Sequence, residues 1–204
     1  MKTIKTSLST SRWLAEDNYK KDWHERSALL LTIAENIGIM NEINSYTEYG
    51  CGPFMPFKIT LKNKGLQERV VYKSVDIKKW DDETIILDLN KNRVDLMAIE
   101  KTDCGIFSGV LEYLDDLPSL FFSLKEKHKI LFVSYAIHQN SYFSLDDALS
   151  VLKNLSARAN SGWRNHQTIE NLISNFDNFG YIGGTGMWGN QALFVLINKN
   201  NLNE

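Results

Sequence analysis

The segment Tyr46-Thr47-Glu48-Tyr49-Gly50-Cys51-Gly52 joins a short aromatic and β-branched run to an acid and two glycines. Such a run, bounded by glycine, reads as a strand over 46–49 followed by a sharp turn. Glycine there lets the backbone turn and approach a bound molecule with no Cβ in the way. Residues 53–64 come next, with Pro53 at their start and Gly65 just past their end, the pattern of a helix. Strand, glycine turn and helix in that order form the opening unit of an α/β fold.

Outward from this unit the pattern repeats. Residues 69–76, 84–89, 104–108 and 130–135 are short apolar runs, several nearly continuous, as in strands buried on both faces. Residues 118–127 read as a helix with Leu120, Phe121 and Leu124 on one face. Beyond the fifth strand, Ser144 with Asp147 marks a helix start, and a second helix follows Thr168 with Ile169, Leu172, Ile173 and Phe176 on its apolar side. The chain closes with Tyr181-Ile182, a glycine-rich turn and the run 192–198, whose wholly apolar middle places it inside the sheet. Ahead of the first strand, Trp23, Leu30, Ala34 and Ile37 form a helical stripe that Gly38 ends. Ligands of such sheets bind at the carboxyl ends of the strands, near the topological switch point.

Composition narrows the function. The 204 residues are 43% hydrophobic and 24% charged, which excludes disordered and fibrous classes and allows one sizeable core. Lys and Arg number 23 against 25 Asp and Glu, a net charge of -2, so the basic excess of a nucleic-acid binder is missing. Two cysteines, Cys51 and Cys104, do not make a disulfide framework. The first ten residues lack the apolar centre of a signal peptide, and the stretch 28–40 is too short and polar to span a bilayer. A cytoplasmic protein with reduced thiols, without nucleic-acid or membrane partners, is the expectation.

Three acids close the first three strands: Glu48, Asp76 and Asp88. Asp76 stands where doubly wound folds place the carboxylate that receives a ribose hydroxyl, and Asp88 can accept from an adenine amino group. Glu48-x-Gly50-x-Gly52 followed by two further strand-end acids resembles the class I S-adenosylmethionine-dependent methyltransferases. Glu48-Tyr49-Gly50-Cys51-Gly52 looks like their first motif, Asp76 with Ile77 like their ribose position, and Asp88-Leu89 like their adenine position. The segment Phe107-Ser108-Gly109-Val110-Leu111-Glu112-Tyr113 is similar to the stretch after their fourth strand that borders cofactor and acceptor. One departure stands out: the third motif glycine is replaced by Phe54, preceded by Pro53.

The resemblance implies a Rossmann-like, doubly wound, mostly parallel seven-stranded sheet with helices on both faces and the last strand antiparallel. It implies one domain over 1–204: an N-terminal helical lid (1–40), a cofactor core (45–135), a helical acceptor-side insertion (136–180) and closing strands (181–199). It implies S-adenosyl-L-methionine as cofactor, held by Glu48, Gly50, Cys51, Gly52, Asp76, Ile77, Asp88, Leu89 and Ser108. Acceptor contacts then fall to Trp23 and Arg26 in the lid, and to Glu112, Tyr113 and Arg164.

Other chemistries fit less well. Gly184-Thr185-Gly186-Met187-Trp188-Gly189 matches a dinucleotide fingerprint literally, but only 15 residues follow it, too few for the required helix, strand and acid. Residues 183–189 therefore read as a hairpin. No metal-ligand spacing occurs, so no metal is expected. A general base, if the acceptor is an aliphatic hydroxyl, would be His166 or His138; His128, at a helix end, reads as a surface residue. Nucleic-acid amino methyltransferases carry Asp or Asn with two prolines and an aromatic residue where Ser108-Gly109-Val110-Leu111 stands. The expected reaction is transfer of a methyl group to a small-molecule acceptor, with O-methylation of a hydroxylated or sugar-like intermediate as the working reading and a monomer or homodimer as the working state. A non-catalytic scaffold of the same fold and a dinucleotide-binding oxidoreductase are the alternatives.

Overall fold

A computed structural model describes residues 14, 20, 22–91, 96, 98–137 and 145–200. Seven strands, β1 (Ser45–Tyr49), β2 (Val71–Asp76), β3 (Ile85–Ile86), β4 (Cys104–Ser108), β5 (Ile130–Tyr135), β6 (Gly180–Trp188) and β7 (Gln191–Asn198), form one sheet in the order β3-β2-β1-β4-β5-β7-β6. Pairings among the first five strands are parallel, and β7 runs antiparallel to both β5 and β6. This is the doubly wound architecture expected from the sequence, with the last strand inside the sheet. The chain steps outward from β1 to β3 and then crosses back to β4, so the switch point lies between the carboxyl ends of β1 and β4.

Helices cover both faces because successive side chains of a strand point to opposite sides. In β5 all six residues are buried. Ile130 and Phe132 join Leu30 and Leu31 of α1 (Trp23–Asn36) and Phe57 of α2 (Pro56–Asn63) in one core. Leu131, Val133 and Tyr135 join Leu120 and Phe121 of α3 (Leu117–Leu124) and Phe176 of α5 (Ile169–Phe176) in the other. Helix α4 (Leu145–Asn160) lies between β5 and α5 in the chain. Thr168 caps α5 by accepting from the Asn171 N–H at 3.3 Å, as its position before the apolar stripe predicts. Ser144 and His138 lie outside the described residues. Among the described residues no helix is long and apolar enough to cross a membrane.

Four local expectations need correcting. The third strand spans two residues rather than 84–89; Ile85 and Ile86 are exposed at the sheet edge, and the chain turns away to bring Asp88 inward. Helix α2 starts at Pro56, not Pro53, because Met55 in the left-handed region (φ 43°, ψ 65°) completes the turn first and Pro56 supplies the first helical residue. His128 is 3% exposed, bonded through Nε2 to the Tyr49 hydroxyl at 2.9 Å and through Nδ1 to Thr102 at 3.1 Å. Finally, Gly183, Gly184 and Gly186 form no hairpin turn: they lie within β6, where α1 crosses it. A Cβ on Gly184 would sit 2.5 Å from Ile33 Cγ2, and one on Gly186 2.9 Å from Ile33 Cδ1. The glycines make room for a helix.

Candidate functional site

A cavity of about 340 Å³ opens at the switch point, over the carboxyl ends of β1, β2 and β4. Its floor is the turn after β1. Gly50 adopts φ +67°, and a Cβ on it would meet Val110 Cγ2 at 2.3 Å. Val110, from the segment after β4, therefore lies directly on the glycine turn, and both residues line the cavity. Cys51 lines it as well, with its thiol pushed far up by burial, which makes it a wall and not a nucleophile.

The strand-end acids are arranged around this floor. Glu48 is buried at the end of β1; Oε1 accepts from the Phe57 N–H at 3.2 Å and Oε2 accepts from the Tyr72 hydroxyl. Burial pushes its carboxyl up to about 7, against the Tyr72 and Phe57 hydrogen bonds and the nearby Arg26 charge. Glu48 thus secures the first turn of α2 under the cavity as well as lining it. Asp76 Oδ2 accepts from the Gly52 N–H at 2.8 Å, which ties β2 to the glycine turn, and burial again raises its carboxyl. Asp88 Oδ1 accepts from the Asn90 N–H at 3.0 Å, and Oδ2 pairs with Lys91 at 3.1 Å.

Of the residues named for a cofactor, Glu48, Gly50, Cys51, Asp76, Ile77, Asp88, Leu89 and Ser108 line one cavity, and Gly52 stands behind Asp76. Of those named for an acceptor, Trp23, Tyr113 and Arg164 line it too, and Arg164 pairs with Asp115 at 2.6 Å. Arg26 and Glu112 are outside its lining. Arg26 is 2% exposed and bonds Ser108 and Gln191. Glu112 is 1% exposed; its Oε1 accepts from the Ala136 N–H at 3.0 Å, and burial raises its carboxyl. The Glu112 carbonyl accepts from the Arg164 N–H at 2.8 Å, which docks the loop after α4 against the segment after β4. His166 lies in that loop, stacked on Trp163 with centroids 6.2 Å apart, and does not line the cavity.

The cavity also has members that no sequence pattern marks. Asn90 donates to the Tyr113 carbonyl at 2.9 Å and accepts from the Asp115 N–H at 2.9 Å, so it clamps the chain after β3 to the chain after β4. Only folding brings residues 90, 113 and 115 together. Among the described residues no group of three His, Cys, Asp or Glu is placed to hold a metal ion.

No protein-family model and no curated protein matches the chain. Solved structures do. An O-methyltransferase family protein from Burkholderia thailandensis superposes at TM-score 0.62 with 11% identity, over 94% of this chain and 63% of its own. The pyocyanin biosynthetic protein PhzM gives 0.57 at 12% identity, over 91% and 56%. The N-terminal domain of EvdMO1 with SAH bound gives 0.55 at 9% identity, over 88% and 81%. The chain thus spans less than two thirds of the first two. Strand order, the single antiparallel strand and these superpositions agree that the fold is that of the class I S-adenosylmethionine-dependent methyltransferases.

Proposed function

We propose that the protein is an S-adenosyl-L-methionine-dependent methyltransferase acting on a small-molecule acceptor, and that the reaction is O-methylation of a hydroxylated or sugar-like intermediate. The observation that carries this reading is the cavity floor: a glycine turn roofed by Val110, with Glu48, Asp76 and Asp88 around it. The residues present fit the cofactor. A side chain at position 50 would displace Val110 from the cavity floor, and Asp76 and Asp88, which line the cavity, would receive the ribose hydroxyls and the adenine amino group. When bound, S-adenosyl-L-methionine supplies a methyl group on a sulfonium, open to in-line displacement.

The chain's own part is to orient and to exclude water. Trp23, Tyr113 and Arg164, which line the same cavity, would face the acceptor. His166, set back from the cavity lining on a loop that Glu112 anchors, is the described candidate for the acceptor's proton; His138 is the other candidate, outside the described residues. The names of the similar structures, O-methyltransferases among them, support oxygen as the methylated atom. Cytoplasmic location and a monomeric or homodimeric state complete the reading.

Calorimetric titration with S-adenosylmethionine, S-adenosylhomocysteine and a nicotinamide dinucleotide tests it directly. Binding of the two sulfur compounds alone, weakened at least about tenfold by Asp76→Ala, is the expected result. Binding of the dinucleotide alone would move the protein to the oxidoreductases, and silence from all three would leave a scaffold.

A further inference from the structure

Arg26 sits on the buried side of α1, and its guanidinium reaches two distant strands. Nε donates to Ser108 Oγ at 2.6 Å, Nη2 to the Ser108 carbonyl at 2.8 Å, and Nη1 to Gln191 Oε1 at 2.7 Å. Trp23 and Trp188 both lie over it, their ring centroids 5.5 and 5.4 Å from Cζ. Ser108 is the last residue of β4, and Gly109 follows with φ +74°. A Cβ at 109 would stand 2.8 Å from Arg26 Nη1, so the guanidinium fills the space a side chain there would need. Val110, the next residue, is the one seated on Gly50.

A buried cation is expensive, and apolar replacements of buried ions are often no less stable. The donors named here all go to neutral groups of the cavity rim and of β7. That arrangement suits a group that fixes one geometry. Arginine suits the task better than lysine because its planar fork holds several acceptors at set angles.

We infer that Arg26 is a positioning residue: it locks Ser108 and Gly109 so that Val110 stays on Gly50, and so joins helix α1 to the cavity. Trp23 extends the effect, since its ring contacts the guanidinium and also lines the cavity. Only the identity of the ligand rests on the methyltransferase reading; the lock itself does not.

Hydrogen exchange on the free protein, with calorimetric titration of S-adenosylhomocysteine, tests the inference. In Arg26→Gln, exchange of amides 108–113 should rise about tenfold or more while β5 amides hold their protection, and affinity should fall about tenfold. Arg26→Lys should fall between. Ser108→Ala removes only the hydroxyl, should show a smaller rise at the same amides, and should add little to Arg26→Gln because the same bond is already gone. It also serves where Arg26→Gln does not fold. Uniform acceleration of exchange along the chain, or unchanged protection at 108–113, would overturn the lock. Failure of the wild type to bind the thioether would count against the function alone, because the exchange result decides the lock by itself.

Discussion

At the β1–β4 centre of the sheet glycines turn the chain, whereas in β6 they let a helix come down on a strand. Gly50 and Gly109 have φ near +70° and border the cavity. Gly183, Gly184 and Gly186 have no such dihedrals and face Ile33, Ile37 and Ile197. The richer glycine cluster, which even spells a dinucleotide fingerprint, is the one outside the cavity lining. Glycine density therefore says little about binding. What separates the two regions is backbone conformation: the cavity glycines are left-handed turn residues, and the β6 glycines lie in a strand.

That contrast breaks if the β6 glycines tolerate side chains. The largest effect should come from Gly180→Ala, whose Cβ would lie 1.8 Å from the Ile197 carbonyl oxygen, a backbone atom that cannot move aside. Upwards of about 3 kcal/mol of stability should be lost in denaturant melts, with thioether affinity of the folded fraction unchanged.

The buried titratable groups sharpen the comparison with opposite signs. Burial lowers His128 from 6.5 to about 4, so the unfolded chain binds more protons between those values and stability falls as pH drops through that window. Burial raises Glu48 from 4.5 to about 7, so the folded state holds the extra proton and stability falls as pH rises through that window. Each shift corresponds to about 3 kcal/mol. Denaturant midpoints from pH 4 to 8 should accordingly show Glu48→Gln gaining stability above pH 7 and losing thioether affinity, and His128→Gln showing a shallower loss at acid pH. Variants whose pH profiles keep the wild-type slope would sink the assignment of the cavity acid as a group held for function against stability.

Next in size is a matched pair. Gly184→Ala should cost about 2 kcal/mol through its clash with Ile33 and be relieved by Ile33→Ala, with the ligand affinity untouched. Gly50→Ala should cost a similar amount, from its left-handed dihedral and the Val110 contact. Unlike the first, it should also lower thioether affinity more than about tenfold, in part restored by Val110→Ala. Equal behaviour in both assays would erase the distinction.

How much of this was legible depends on how far apart the partners are in the chain. Glu48, Asp76 and Asp88 follow a strand-by-strand period, so the cavity's acids could be read directly, and eight of the nine cofactor candidates line it. Arg26 reads from the sequence as an acceptor contact, and its burial could not be read, because its partner Ser108 lies 82 positions away. His128 misleads for the same reason: its burial depends on Tyr49, 79 positions off. At the Phe54 departure Met55 takes the left-handed conformation, and α2 starts at Pro56, three residues later than Pro53 suggests.

The smallest effect concerns the rim. Arg164 and Asp115 pair at 2.6 Å with side chains 36% and 55% exposed, the regime in which solvent screening leaves an ion pair little net worth. Arg164→Gln should therefore shift the denaturant midpoint by less than about 0.5 kcal/mol, since the backbone bond from residue 164 to the Glu112 carbonyl stays in place. Both side chains nonetheless line the cavity. On the proposed function Arg164 would face the acceptor, so the substitution should raise KM for the acceptor while thioether affinity holds. A change in thioether affinity instead would place Arg164 with the cofactor, and the boundary between the two halves of the cavity would move.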